Sequence, residues 1–333
     1  MKRWLLITAV GVALSCTALA RAGHQDGRIL ILAQPFARAD ALWMALAQGF
    51  FKDEQLAVTV KWVSSGADAL ETFERGRDGT PGFGDLVVVS EVLAVNFWQG
   101  AGDGFTVVAP LARDADGYVA VAKKEVTTAS ALRTKGVGAK LGSTSAWFIS
   151  EYLRANGMSE RNVALKHQAS DYGILDWDPE QSDIAAFFVR EPVATLTIQK
   201  HGDRVHRLAT AKGYVHGYLL LGTWRRYLHE HPGVTERLLR ALDRGRRHAD
   251  EHKADVIRFA SEMFGKDTAP VEADYATTER LLGIDRATLD DFRSLGRWMK
   301  DAGLLAATVD PIAMFDPEPL RRSLPDRVLT EVR

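Results

Sequence analysis

Residues 141–147 combine side chains and predicted backbone geometry suited to holding a small anion. They read Leu-Gly-Ser-Thr-Ser-Ala-Trp, and they join an apolar run typical of a strand (137–141) to a run typical of a helix (147–153). A turn of small residues there would direct several backbone N–H groups, and the hydroxyls of Ser143, Thr144 and Ser145, at one point. That point would lie at the positive end of the helix dipole, where an anion is favoured. The segment therefore predicts an anion-binding turn.

The N-terminus predicts export. Lys2 and Arg3 precede an uncharged stretch at 4–14 that is too short to span a bilayer, and small residues suited to signal cleavage follow at 18–22. Residues 1–22 are therefore predicted to be a signal peptide, and the mature protein to be periplasmic. Lipidation of Cys16 is the alternative, but Ala13 and Leu14 are poor residues before a lipidated cysteine.

Composition narrows the class of protein further. Cys16 is the only cysteine of the 333 residues, so the predicted cleavage removes disulfides, thiol nucleophiles and cysteine metal sites from consideration. Loss of Lys2, Arg3 and Arg21 leaves 39 of the 42 basic residues against 43 acidic ones, a net charge near −4. That charge argues against nucleic acid as a partner. A mature chain of about 310 residues is expected to form roughly two domains.

Strand-like and helix-like segments alternate along the mature chain. In the first part, strands are predicted at 28–33, 58–62 and 86–89, with helices at 40–48 and 67–75. The alternation restarts after residue 117, with strands at 118–122, 137–141, 163–167 and 184–189. Beyond Tyr218 the pattern is helical, at 224–229, 234–264 with a break, and 289–302, and four prolines mark an irregular tail laid over the surface. This rhythm predicts two α/β lobes with mainly parallel sheets.

Four segments then resemble periplasmic binding proteins that serve nitrate, sulfonate, taurine and thiamine-precursor ABC importers. They are residues 47–54 (Ala-Gln-Gly-Phe-Phe-Lys-Asp-Glu) with the alternating 58–60, residues 65–70, residues 142–148, and residues 183–192, which end in Arg190-Glu191-Pro192. The four occur in the family's order and spacing. The resemblance covers about residues 28 to 305 of the chain.

The resemblance implies a type II binding-protein fold, with two lobes joined by strands near 110–118 and 212–222 and the ligand held in a cleft between them. The expected division is a first part of lobe 1 at 23–115, lobe 2 at 116–216, and a return to lobe 1 at 217–333. The expected partners are a small anionic ligand and an ABC permease in the inner membrane. We expect a monomer that needs no cofactor or metal and catalyses no reaction.

The candidate ligand-binding residues follow the predicted strands, because ligands of open α/β sheets bind beyond the carboxyl ends of the strands. They are Gln34, Pro35, Phe36, Ser64, Ser65, Gly66 and Ser90 in lobe 1, and Ser143, Thr144, Ser145, Trp147, Arg190 and Glu191 in lobe 2. Lobe closure would bring residues 34–36 and 64–66 opposite the 142–147 turn.

Several candidates have a purely structural alternative. Ser143 or Thr144 is expected to serve as the N-cap of its helix even without a ligand, and Trp147 equally fits a core position. The family often has an aromatic residue where this chain has Arg190. Its guanidinium would suit a bidentate carboxylate or sulfonate clamp, and the alternatives are a salt bridge with Glu191 or a solvated helix start.

Motifs for catalysis or metal binding are weak. The histidines at 229–231 and 248–252 lack the zinc-protease order and lie in charged helical runs, which favours solvated faces. Asp176-Trp177-Asp178 supplies too few oxygen ligands for a calcium loop and is interpreted as a loop with a surface tryptophan, with a place at the cleft rim as the alternative for Trp177. Two rival functions remain: a thiamine-pyrimidine precursor binding or synthesis protein of the same fold family, and a periplasmic sensor partner. The sequence leaves open which anion is bound.

Overall fold

A computed structural model describes residues 28–35, 37–114, 116–265, 267–306 and 310–329. The predicted signal peptide, Cys16 and the candidate residue Phe36 lie outside these ranges, so what the sequence predicts for them stays a prediction. Among the described residues, no helix combines the length and apolar composition needed to cross a membrane.

The strands and helices alternate through most of the chain. The strands are β1 (Arg28–Ala33), β2 (Ala57–Trp62), β3 (Leu86–Ser90), β4 (Phe105–Asp114), β5 (Tyr118–Lys123), β6 (Gly136–Ala139), β7 (Ala164–His167), β8 (Ile184–Arg190), β9 (Val205–Thr210), β10 (Gly217–Trp224) and β11 (Thr278–Arg280). The α-helices are α1 (Asp40–Ala47), α2 (Phe50–Asp53), α3 (Gly66–Glu74), α4 (Glu91–Ala101), α5 (Thr144–Ala155), α6 (Val193–His201), α7 (Arg225–Glu230), α8 (Val234–Glu251), α9 (Lys253–Phe264), α10 (Thr268–Thr277), α11 (Arg286–Asp301) and α12 (Glu318–Ser323).

Short 3-10 helices connect several of these elements. They are Ala37–Ala39, Gly102–Gly104, Ala129–Leu132, Glu160–Asn162, Asp171–Asp176, Gly202–Arg204, Pro311–Met314 and Pro325–Arg327. The predicted strands at 28–33, 58–62, 86–89, 118–122 and 184–189 each agree with an observed strand to within one or two residues.

Two sheets carry the fold. Sheet 1 has the strand order β11-β4-β10-β3-β1-β2, and sheet 2 has the order β7-β6-β8-β5-β9. The chain leaves sheet 1 after β4 and returns to it at β10, which agrees with the linking strands expected from the resemblance. We use lobe 1 for sheet 1 with its helices and lobe 2 for sheet 2 with its helices; the bounds predicted for the lobes stay a prediction.

Both sheets are mixed, which corrects the expectation of mainly parallel sheets. In sheet 1, β1 pairs in parallel with β2 and β3, whereas β10 runs antiparallel to β3 and β4. In sheet 2, β6 is parallel to β7 and β8, whereas β5 is antiparallel to β8 and β9. The chain enters sheet 2 at β5 and returns to sheet 1 at β10. Each of these two strands runs antiparallel to both of its neighbours.

The chain beyond Tyr218 follows the prediction in its helices and differs from it in its tail. Residues 217–224 form β10, a strand buried along its whole length, which lies close to the linking strand at 212–222 that the resemblance implies. The predicted helices at 224–229 and 289–302 correspond to α7 and α11. The tail is more ordered than predicted, since Met314 and Leu320 are fully buried and α12 lies within it.

Trp177 corrects the prediction of a surface tryptophan. It is 6% exposed and packs edge-on against Phe187 of β8, with ring centroids 5.2 Å apart. The loop at 171–178 therefore covers one face of sheet 2 instead of projecting into solvent.

Candidate functional site

The 142–147 turn connects β6 to α5, as the sequence predicts. Gly142 has φ of 74°, a left-handed conformation that glycine adopts without strain, and Ser143 occupies the N-cap position of α5. Its hydroxyl does not cap the helix, however, because it donates to the carbonyl of Lys140 at 2.6 Å. The simple N-cap alternative for this side chain is therefore wrong, and no side chain caps the first N–H groups of α5.

The next residues of the turn are buried. Thr144, Ser145 and Trp147 are 3%, 2% and 1% exposed. The indole of Trp147 stacks on Trp298 of α11, with ring centroids 6.3 Å apart and planes inclined by 28°. The ring faces protein in this conformation and joins the hydrophobic core. Because α5 belongs to lobe 2 and α11 to lobe 1, the stack connects the two lobes.

The lobe 1 candidates at the ends of β1 and β2 lie together. The side-chain amide of Gln34 donates to the Ser64 carbonyl at 3.2 Å. Ser65 caps α3 by accepting from the Asp68 N–H at 3.1 Å, and the Ser64 hydroxyl donates to the Asp68 carboxylate. These hydrogen bonds hold the pKa of Asp68 below its usual value.

Gly66 lies in close contact with Leu93 and Gln34, with little room for a side chain. A Cβ atom built on it would come within 2.7 Å of a Leu93 methyl and 3.3 Å of the Gln34 amide oxygen. Pro35 is half-buried beside Gln34. The candidates at the ends of β1 and β2 thus pack against the first turn of α4, which follows β3.

Ser90 and Glu91 form the junction of β3 with α4. Ser90 is the N-cap residue of α4 and is half-buried, while Glu91 is fully buried. The Glu91 carboxylate accepts the Thr144 hydroxyl on one oxygen and the Tyr218 N–H, at 2.8 Å, on the other. Thr144 lies in lobe 2, so the carboxylate joins the ends of β3 and β6 across the lobes.

Glu91 is the buried carboxylate between the two strand ends that sequence reasoning missed. The signal was present, because Glu91 immediately follows Ser90, which was selected for its place at a strand end. Burial raises the pKa of Glu91, although hydrogen bonds from Thr144 and Tyr218 and the positive charge of Arg38 oppose that effect. Arg38 is itself 4% exposed, so lobe 1 holds a buried acid and a buried cation that interact electrostatically.

Arg190 points into a protein ion cluster. Its guanidinium donates to the Asp114 carboxylate at 2.9 Å, to the Glu191 carbonyl at 3.0 Å, and to the Asp274 carboxylate. It is 12% exposed, and both acids are nearly inaccessible to solvent. Neither alternative drawn from the sequence describes this arrangement, since the carboxylate partners are Asp114 and Asp274 rather than Glu191.

Glu191 has partners of its own. Its carboxylate accepts from Arg207 at 2.7 Å and from the N–H of Thr195 at 3.0 Å in the first turn of α6. In this conformation both residues of the Arg190-Glu191 pair make contacts within the protein. The ligand-binding roles predicted for them stay predictions.

The histidine and aspartate motifs form no cation site in the part of the chain that the structure describes. There, no three His, Cys, Asp or Glu side chains are grouped as metal ligands. His248 and His252 stack on each other, with ring centroids 4.2 Å apart.

Comparison with known proteins extends these observations to a family. The NMT1/THI5-like family model matches residues 39–255, which is more than half of the chain. No curated protein matches the chain in sequence.

Solved structures match over most of their length. The periplasmic aliphatic sulphonate binding protein SsuA of Escherichia coli has a TM-score of 0.72 at 13% identity, covering 87% of this chain and 92% of that one. The periplasmic nitrate-binding protein NrtA of Synechocystis PCC 6803 has a TM-score of 0.68 at 15% identity, covering 93% and 90%. A cysteine-to-serine mutant of DSZB in complex with biphenyl-2-sulfinic acid has a TM-score of 0.66 at 15% identity, covering 90% and 99%.

These similarities confirm the periplasmic binding protein fold that the sequence predicts. The predicted family is confirmed as well, by the extent of the family match. The chain belongs to the NMT1/THI5-like family.

Proposed function

We propose that the protein is the periplasmic solute-binding component of an ABC importer and that it captures a small anion, such as a sulfonate, nitrate or carboxylate, by closure of its two lobes. The observation that carries the proposal is the contact between Glu91 and Thr144. It joins the helix start after β3 in lobe 1 to the helix start after β6 in lobe 2, where ligands of such sheets bind.

Three further observations support this function. The family match spans both lobes, and the sulfonate-binding and nitrate-binding proteins named above share the fold. The start of α5 has no side-chain cap, which leaves donors for an anion. The predicted signal peptide would deliver the protein to the compartment in which importers collect their ligands.

The proposed site consists of the polar groups at the strand ends. In lobe 1 these are Gln34, Ser64, Ser65 and Ser90, and in lobe 2 they are Ser143, Thr144 and Ser145. Closure would add contacts from the second lobe only when the ligand is in place, so the ligand shifts the population towards the closed state. A permease would then recognise the closed form.

We also propose that the ligand is released without chemical change. The fold is shared with DSZB, whose structure holds a sulfinic acid. That complex was formed by a cysteine-to-serine mutant, whereas the mature chain predicted here contains no cysteine.

The function is tested by removing the Thr144 hydroxyl. Thr144→Val should weaken ethanesulfonate binding at least tenfold, because a hydrogen bond to a charged group contributes about 1.5–3 kcal/mol. Isothermal titration calorimetry measures the change, with Ser130→Ala, an exposed hydroxyl of the same lobe, as the control. Equal affinity of the two variants would remove the start of α5 from the site.

A further inference from the structure

A buried carboxylate occupies the position where the proposed function places an anion. Glu91 is fully buried at the meeting of the α4 and α5 helix starts. One of its oxygens accepts a hydrogen bond from the Thr144 hydroxyl, and the other accepts one from the Tyr218 N–H at 2.8 Å. When Glu91 is ionised, it therefore places one negative charge at the site.

We propose that Glu91 sets the charge that the site accepts, so that an anion is bound only together with one proton, which Glu91 carries. The inference rests on the proposed function and adds the protonation state to it. The site would take up an anion and a proton as a pair, and it would disfavour the anion alone.

The hydrogen-bond count at Thr144 supports this coupling. A threonine hydroxyl can donate one hydrogen bond, and an ionised Glu91 accepts it. An anionic ligand then meets both a donor already in use and a like charge in a buried place. Once Glu91 is protonated, it can donate to the Thr144 oxygen, which frees the threonine proton for the ligand. Protonation thus converts an acceptor into a donor and removes the repulsion.

Burial and the groups facing Glu91 act in opposite directions on its protonation. Burial raises the pKa of Glu91, while the bonds from Thr144 and Tyr218 and the charge of Arg38 act in the opposite direction. Tyr118 of β5 also faces the carboxylate, and burial raises the pKa of its phenol to about 12, so it stays neutral near pH 7. Glu91 is therefore the group expected to change charge when the ligand enters.

The test uses ethanesulfonate, the anion of a strong acid, which stays ionised throughout the range from pH 5 to 8. Calorimetric titrations of the wild type at each pH should show the affinity falling up to about tenfold per pH unit once the pH exceeds the pKa of Glu91. Repeating them in two buffers of different ionisation enthalpy should reveal the uptake of up to one proton. Glu91→Gln should bind with little pH dependence, and more tightly than the wild type at pH 8.

Glu71→Gln, an exposed glutamate on α3, is the matched control and should titrate like the wild type. Binding by the wild type that is independent of pH and of buffer would overturn the inference alone, and so would a Glu91→Gln variant that keeps the pH dependence. The buffer comparison needs only the wild-type protein, so it decides the question even if Glu91→Gln does not fold. If neither ethanesulfonate nor nitrate binds to any of the three proteins at any pH, the anion-binding function itself fails, and this inference with it.

Discussion

At the scale of single residues, the polar groups near the cleft are also structural. Buried donors and acceptors must find partners, and here they find them within the protein. The Thr144 hydroxyl bonds to Glu91, and the Arg190 guanidinium bonds to Asp114 and Asp274. Arg190 comes from β8 of lobe 2, Asp114 ends β4 and Asp274 lies on α10. The arginine therefore stabilises the junction of the lobes.

Removing the Arg190 side chain should destabilise the protein strongly. Arg190→Ala would leave two buried carboxylates without their cation, and breaking a buried ion pair costs about 3–5 kcal/mol. Urea denaturation should show a free energy of unfolding lower by about 3 kcal/mol or more. The matched control is Arg154→Ala, whose pair with Glu151 is exposed on the arginine side and should contribute less than about 1 kcal/mol. Similar losses for the two variants would contradict this role of Arg190.

Sequence reasoning identified Thr144 and Arg190 but none of their carboxylate partners, which are Glu91, Asp114 and Asp274. It selected both because each lies near the end of a predicted strand, which is a local property. Their partners lie 53, 76 and 84 residues away along the chain. Such pairs depend on how the lobes face each other, and no spacing within one segment encodes that.

At the scale of elements, close packing of helices on sheet 1 shapes lobe 1. Helix α8 approaches α1 so closely that a Cβ atom on Gly245 would lie 2.1 Å from the carbonyl oxygen of Ala41. Trp43, next to this contact on α1, is fully buried. Glycine is thus required at position 245 by the proximity of another backbone.

Adding one methyl group at this contact should force the helices apart. We expect Gly245→Ala to lower the free energy of unfolding by about 1–3 kcal/mol, since overpacking a tight contact strains its neighbours. Gly100→Ala on α4 is the matched control, because a Cβ atom there meets no atom within 4 Å. Alanine favours a helix over glycine by about 1 kcal/mol, so the control should be neutral or stabilising. Thermal unfolding of both variants tests the difference, and a neutral Gly245→Ala would refute the packing argument.

Most elements could be predicted from sequence periodicity, but β10 could not. Its run Gly217–Trp224 is buried on both faces, and a short apolar run without alternation does not distinguish a strand from a buried helix. Periodicity left the run unassigned, and only the resemblance implied a linking strand near 212–222. Only its pairing with β3 and β4 identifies it as a central strand.

At the scale of the whole molecule, two chain crossings and several side-chain contacts join the lobes. The crossings are β4 to β5 and β9 to β10. Away from the crossings, the Glu91–Thr144 hydrogen bond and the Trp147–Trp298 stack connect lobe 1 to lobe 2. These contacts join the lobes in this conformation, and moving the lobes apart would break them. A ligand that adds contacts between the same surfaces would therefore favour closure.

The most direct test of the central proposal is a measurement of the distance between the two lobes, by fluorescence energy transfer, as ligand is added. The predicted mature chain has no cysteine, so Glu71→Cys on α3 and Arg161→Cys in the turn before β7 would be labelled selectively with a fluorescent donor and acceptor. Ethanesulfonate should raise the transfer efficiency in a saturable manner, and its uncharged analogue ethyl methyl sulfone should not. Thr144→Val should shift the titration to higher concentration. A saturable rise with the uncharged sulfone alone, or calorimetric binding of ethanesulfonate without any change in distance, would contradict capture of an anion by lobe closure.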